Sequence, residues 1–274
     1  MTLHKDSILW AIDFIRKHSD SDLFPKILEI DALADKSHEF AELLEGKDLA
    51  IFTPGACRRF IVPKDELSYR QATQLDPQDA IILSAVIYQF GQGIEDRRLS
   101  NKVVYSYRFN PDAVEGLYSS KSAWNDFWTE AHEKTIPILF PLQKDKIGAV
   151  LYCDVADFYN QIYHHVVENQ LTMSGFPNQA TKWVIKLLES TTAGVSRGVP
   201  VGPHGIHLIA EATMIPIDNT LTTLGLDFIR YADDIIVFCD SDSSAKTALA
   251  SIASTLDQQQ RLMLQRYKTK MVLS

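Results

Sequence analysis

The chain has 274 residues, 46% of them hydrophobic, with a formal net charge of −8 and a pI near 5.5. That length and apolar content suffice for a large buried core in one or two subdomains and exclude a disordered or fibrous chain. Three cysteines without paired spacing, no leader-like segment and no apolar run near about eighteen residues exclude a disulfide scaffold and a membrane span, and point to a reducing, cytoplasmic setting.

An acidic balance is unusual for a chain that neutralises phosphates. The charge is uneven, however. Residues 1–46 hold five Lys or Arg against ten Asp or Glu, residues 47–108 hold nine against seven, and residues 261–270 hold four basic side chains and no acid. Local basic surfaces are compatible with the composition.

Along the chain, "SILWAIDFIRKH" (7–18) and "SHEFAELLEG" (37–46) carry helical spacing, and "RRFIVPK" reads as a strand. "DPQDAIILSAVIYQFGQG" reads as a helix begun by Asp76, with Pro77 in its first turn, and stopped by Gly91 and Gly93. "SAWNDFWTEAHEK" (122–134) is an amphipathic helix. A buried strand runs from Ala149 to Cys153 and turns helical after Asp154, and helices follow at 178–190 and 205–222. "LDFIR" (226–230) and Ile235 to Phe238 read as buried strands; the chain closes on a helix from Ser244 to about Gln259 and a strand near "LMLQ" (262–265). No repeat or long linker interrupts this order. The alternation predicts one continuous α+β unit, or a mixed α/β sheet, with helices covering one side.

Asp233 and Asp234 stand side by side between the last two buried strands, which places acid at a hairpin tip. Two carboxylates so close repel, and burying them is costly unless a cation lies between them. A divalent metal is the natural partner; a solvated Asp-Asp turn is the alternative. Asp154 ends a buried strand as Asp233 and Asp234 begin one. If those strands are neighbours, three carboxylates meet at one sheet edge, enough for two Mg²⁺ ions about 3.5–4 Å apart serving in-line phosphoryl transfer. Asp157 is expected at a helix N-terminus, complementing the dipole rather than binding metal.

"YADD" within "FIRYADDIIVF" resembles motif C of the reverse transcriptases, and "LYCDVADFYNQIYHH" resembles their motif A. "RGVPVGPHGIHLIAEATMIPID" resembles motif B and "LMLQRYKTKMV" motif D, so four motifs stand in family order over residues 149–274. "FIVPKDELSYRQA" resembles the fingers segment. The form of motif B, with "VVYSYRF" and "FYNQIYHH", is closest to the bacterial abortive-infection and related defence-associated reverse transcriptases.

The resemblance implies an α+β right-hand polymerase fingers and palm, an antiparallel palm sheet covered by helices, and a thumb outside this chain. It implies an N-terminal helical segment at 1–46, a fingers-like region at 47–147 and a palm at 148–274, with a fingers helix region interposed at about 165–200. Asp154, Asp233 and Asp234 would bind two Mg²⁺, with Mn²⁺ as a substitute and the main-chain carbonyl of Val155 as a further ligand. Lys268 would give a proton to the departing pyrophosphate. Lys64 and Arg70 would grip the incoming triphosphate, Tyr159 would exclude a 2′-hydroxyl, and Gly202 would let the backbone approach the nucleotide.

The implied activity is RNA-directed DNA polymerisation in an anti-phage defence system. The implied partners are dNTPs, a DNA product, an RNA template or structural RNA, and either further copies of the chain or a helical domain beyond residue 274; no membrane is implied. Val201 stands where many template-copying relatives have Gln, so the expected synthesis is untemplated or directed by a dedicated RNA, and primed on a protein hydroxyl. The alternative is a non-catalytic scaffold or sensor that binds nucleic acid or a phage component, towards which Val201 and the acidic balance lean. A Walker-type ATPase is excluded, because no G-x-x-x-x-G-K-[ST] loop is present.

Overall fold

A computed structural model describes residues 2–21, 23–112, 116–119, 123–141 and 148–274. The chain order is α1 (Lys5–His18), α2 (Leu28–Asp35), α3 (Ser37–Leu44), β1 (Arg58–Pro63), β2 (Tyr69–Gln74), α4 (Pro77–Phe90), α5 (Gln92–Glu95), β3 (Phe109–Asp112) and β4 (Gly116–Tyr118). It continues with α6 (Ala123–Leu139), β5 (Ala149–Asp154), α7 (Phe158–Gln161), α8 (His164–Met173), α9 (Asn178–Thr191) and α10 (His204–Thr223). The last elements are β6 (Asp227–Tyr231), β7 (Asp234–Cys239), α11 (Asp242–Gln260) and β8 (Lys270–Leu273). Ser122, the first residue of one expected helix, and Ile147, at an expected boundary, lie outside the described residues.

Local chemistry sets several of these ends. The Asp76 carboxylate accepts the Gln78 amide at 3.0 Å and Pro77 fills the first helical position, so α4 starts where the sequence predicts. A reciprocal pair, the Ser241 hydroxyl accepting from the Ser244 amide and the Ser244 hydroxyl from the Ser241 amide, caps α11. Gly91 caps the C-terminus of α4, as the sequence predicts, and Gly93 lies within the short helix α5 that follows. Gly93 serves close packing instead: a Cβ there would collide with the Ser174 carbonyl.

The chain divides into two compact units. One comprises Met1–Arg97, Phe109–Ser119 and Tyr163–Ala212. Its centre is α4, buried continuously from Asp79 to Ile87, against which α1 packs, with Trp10 stacked on Tyr88 at 4.3 Å between ring centroids. A fully buried helix is apolar on every side, which is why its sequence lacks an amphipathic stripe.

The other unit comprises Arg98–Arg108, Ser120–Ile162 and Thr213–Ser274 and holds a four-stranded antiparallel sheet in the order β6-β7-β5-β8. Val150, Ile229, Ile236 and Phe238 on one face pack on Phe127 and Ala131 of α6. Leu151, Cys153, Ile235 and Val237, alternating with them, are equally buried on the opposite face, and α11 packs against β5 and β7. The expected helical cover therefore extends to both faces, which is what strands with continuous apolar runs require.

Two expected elements differ. "LMLQ" forms an isolated bridge, Leu264 to Val155, rather than a strand. Arg261, at φ +55°, reverses the chain after α11, and a turn follows in which the Lys268 and Thr269 amides return to the Gln265 carbonyl; the strand proper is β8. The helix after Asp154 begins only at Phe158, because Asp157 takes a left-handed conformation at φ +50°. The Asp157 carboxylate then accepts from the Asn160 and Gln161 side-chain amides, which keeps it at a helix N-terminus as predicted.

Candidate active site

The acids converge because β5 and β7 are neighbours. Asp154, the last residue of β5, is the cross-strand partner of Asp234, the first residue of β7. Tyr231 pairs with Asp234 across β6 and β7, so Ala232 and Asp233 form a two-residue hairpin loop with Ala232 at φ +50°. The Asp233 carbonyl accepts the Val155 amide at 3.0 Å, tying the loop to the end of β5.

Motif D closes the same corner. The Ala156 amide donates to the Met263 carbonyl at 2.8 Å and the Gln265 amide to the Asp154 carbonyl at 2.7 Å. The turn that follows carries the Lys268 ammonium to Asp154, where Nζ donates to Oδ2 at 2.5 Å. That hydrogen bond, with the charges of Asp154, Asp233 and Asp234, raises the Lys268 pKa above its ordinary value. All three carboxylates therefore act on one cation.

A buried framework positions the hairpin. Arg230, in β6, is wholly buried; its Nε and Nη2 each donate at 2.7 Å to the two carboxylate oxygens of Asp218 on α10. Its Nη1 donates to the Ala232 carbonyl at 2.8 Å, while the Ala232 amide donates to Ser106 Oγ at 2.9 Å. Both main-chain groups of this left-handed residue are thus held. Residues 103–105 bond to the Arg230 main chain, giving β6 a short parallel neighbour. No local string singles out Asp218 or Ser106, although an arginine inside an apolar strand signals a buried partner.

Tyr159 lies half-buried on α7, its ring 5.5 Å from that of Phe158. It belongs to the same unit as the acids and Lys268. Lys64, Arg70 and Gly202 belong to the other unit. Lys64 and Arg70 are exposed on the β1–β2 hairpin, Arg70 opposite Val62. Gly202 takes φ +124°, and a Cβ there would lie 2.8 Å from Ser21 Oγ and 3.2 Å from the Thr73 carbonyl. Next to it the Val201 carbonyl accepts the Thr73 amide at 2.8 Å.

Oxygen donors from Asp154, Asp233 and Asp234 suit a hard divalent cation, and the ammonium of Lys268 marks the place where the potential favours one. Among the described residues no three His, Cys, Asp or Glu side chains are drawn together tightly enough to hold a metal. The residues fit Mg²⁺ in the chemistry of their oxygen donors and in the field that acts on Lys268.

A family model described as reverse transcriptase (RNA-dependent DNA polymerase) matches residues 96–274. No curated protein matches the sequence. Among solved structures, apo telomerase from Candida tropicalis truncated from its C-terminal domain superposes with a TM-score of 0.57 at 11% identity, covering 81% of this chain and 50% of that one. Telomerase from Candida albicans in complex with a TWJ fragment of telomeric RNA gives 0.53 at 10% identity, covering 90% and 48%. These likenesses concern the fold, and the chain spans about half the length of those telomerase chains.

Proposed function

The chain belongs to the reverse transcriptase family, and from that premise we propose that it is an RNA-directed DNA polymerase that adds dNTPs to a 3′-hydroxyl by metal-assisted phosphoryl transfer. The observation that carries this reading is the cross-strand pairing of Asp154 with Asp234, with Asp233 in the hairpin loop and Lys268 beside them. Asp154, Asp233, Asp234 and the Val155 carbonyl would hold two Mg²⁺, or Mn²⁺. When bound, such ions lower the pKa of the attacking hydroxyl and offset charge on the leaving pyrophosphate.

Other residues bind, orient and move a proton. Lys268, held protonated beside Asp154, would give a proton to the leaving pyrophosphate. Tyr159 would stand beneath the sugar and exclude a 2′-hydroxyl. Lys64 and Arg70 would hold the triphosphate, one as a point charge and the other as a bidentate fork, and Gly202 would let the backbone approach the nucleotide. In this reading residues 1–46 are an N-terminal helical segment, 47–147 a fingers-like region and 148–274 the palm.

The wider biology follows the sequence resemblance: anti-phage defence, synthesis that is untemplated or directed by a dedicated RNA, and priming on a protein hydroxyl. Val201 supports the untemplated mode, since it lacks the amide that helps seat a base pair in template-copying relatives. The fold likeness to Candida albicans telomerase in complex with a fragment of telomeric RNA supports an RNA partner. The thiols of Cys57, Cys153 and Cys239 are all free, which suits a reducing, cytoplasmic compartment. No helix among the described residues is long and apolar enough to cross a membrane.

Incubation with labelled dNTPs and Mg²⁺, with and without a heteropolymeric template, tests the reading. Metal-dependent incorporation is expected, with product composition insensitive to the template. Faithful copying from an annealed primer only would return the protein to ordinary templated synthesis. No incorporation under any condition, with nucleic-acid binding retained, would leave the non-catalytic scaffold.

A further inference from the structure

The row of side chains next to the acids is aromatic and cationic. On the sheet face that carries Asp154 and Asp234, the adjacent cross-strand row is Lys270, Tyr152 and Ile236, since Tyr152 pairs with both Lys270 and Ile236. It lies one pleat repeat, about 7 Å, from the acid row. With Trp128 of α6 and Tyr267 of the turn before β8, these residues line a cavity of about 230 Å³ that reaches Asp234 and Lys268. A second concavity, of about 620 Å³, continues along α6 past Asn125, Thr129, His132 and the acidic Glu133, and shares Trp128 and Tyr152 with the first.

Two of the lining aromatics stand in solvent. Trp128 is 41% exposed and Tyr267 84% exposed. Burial stability does not account for a tyrosine this open, whereas stacking on a ligand would use its ring. Lys268 and Lys270 at the mouth belong to the segment 261–270, which has four basic residues and no acid. Aromatic faces with cations at their rim match the two parts of a polynucleotide, bases and phosphates. Two concavities meeting at one aromatic pair suit a chain of nucleotides better than a single one.

We infer that Trp128, Tyr152, Tyr267 and Lys270 form a stacking slot for the last bases of a single-stranded polynucleotide, aiming its 3′ end at Asp234. This inference rests on the polymerase reading for the role of that 3′ end, but the slot's binding is independent of catalysis. Tyr267 and Trp128 hold bases and Lys270 meets a phosphate. The acidic chain thereby binds a polyanion through one local patch.

The test is fluorescence anisotropy of labelled oligothymidylate with the full chain in EDTA, between about 50 and 200 mM salt, beside Mg²⁺-dependent incorporation. Tyr267→Ala and Trp128→Ala are each expected to weaken binding about tenfold, and Lys270→Gln to reduce the salt slope by about 0.7. Tyr267 is exposed enough that its variant keeps the fold, which circular dichroism checks. Wild-type affinity in both aromatic variants, or no oligonucleotide binding by the wild type, overturns the slot. Equal competition by thymidine monophosphate also overturns it, in favour of a mononucleotide site. Incorporation by a wild type whose aromatic variants bind normally would sink the slot and spare the polymerase; slot-dependent binding without incorporation would do the reverse.

Discussion

Arg230 and Asp218 form a two-pronged ion pair, both bonds at 2.7 Å, with neither side chain more than 1% exposed. Through its third nitrogen Arg230 grips the Ala232 carbonyl in the loop that carries Asp233. Removing one member leaves a buried charge without its partner, so Asp218→Ala is expected to destabilise the protein by about 3–5 kcal/mol. An apolar replacement of both, Arg230→Met with Asp218→Leu, should restore most of that stability in urea unfolding. It should not restore incorporation, because the Ala232 carbonyl still lacks its donor. Recovery of both would reduce the pair to packing.

Asp233→Asn removes a ligand charge and relieves repulsion among three clustered carboxylates. Nucleotide incorporation should fall at least about a hundredfold, while the urea midpoint stays level or rises. Wild-type incorporation with an unchanged circular dichroism spectrum would end the assignment of the acids.

Tyr159→Ala takes away the bulk proposed beneath the sugar. Discrimination between dNTP and rNTP should drop by about tenfold or more, read as the ratio of kcat/KM values. An unchanged ratio would make Tyr159 a packing residue.

Lys268 holds the oxygen of Asp154 that a metal would need. Lys268→Met should therefore tighten Mn²⁺ binding in calorimetry, by about fivefold after allowing for the lysine's half-exposed side chain, while slowing incorporation. The raised pKa keeps the ammonium charged, and its favourable interaction is complete below the ordinary lysine value and is lost only as pH rises through the folded value. The metal effect of the substitution should accordingly be flat across neutral pH. Looser Mn²⁺ binding in the variant would show that lysine and metal do not compete.

Asp79 gives a pH signature in the other unit. Burial pushes its carboxyl up to about 6, against the Gly55 amide bonded to Oδ2 at 2.7 Å. The folded protein thus binds the proton more tightly than the unfolded chain. This contribution is complete below the ordinary carboxylate value and is lost as pH rises from about 4 through about 6. Asp79→Asn should match the wild type near pH 4 and exceed its stability near pH 8 by about 1–3 kcal/mol. Parallel pH dependences of the two urea midpoints would contradict this.

The sequence by itself determined where several elements start and that the acids stand at strand ends. Short-range chemistry carries that information: Asp76 and Pro77 start α4, continuous apolar runs mark β5 and β7, and an acid pair between two such runs forces a hairpin tip. The family motifs were legible for the same reason, since each is a local string.

Only the tertiary structure decided what touches what. That β5 and β7 are neighbours, pairing Asp154 with Asp234, depends on strand order, which no local string encodes. The strand expected at "LMLQ" became a bridge because Arg261 turned the chain, and that turn is what delivers Lys268 to Asp154. Ser106 lies 126 residues from Ala232 and Asp218 only 12 from Arg230, yet each became visible as a support only when packing brought its oxygen to a buried donor. A buried donor must find an acceptor, but the fold chooses which one.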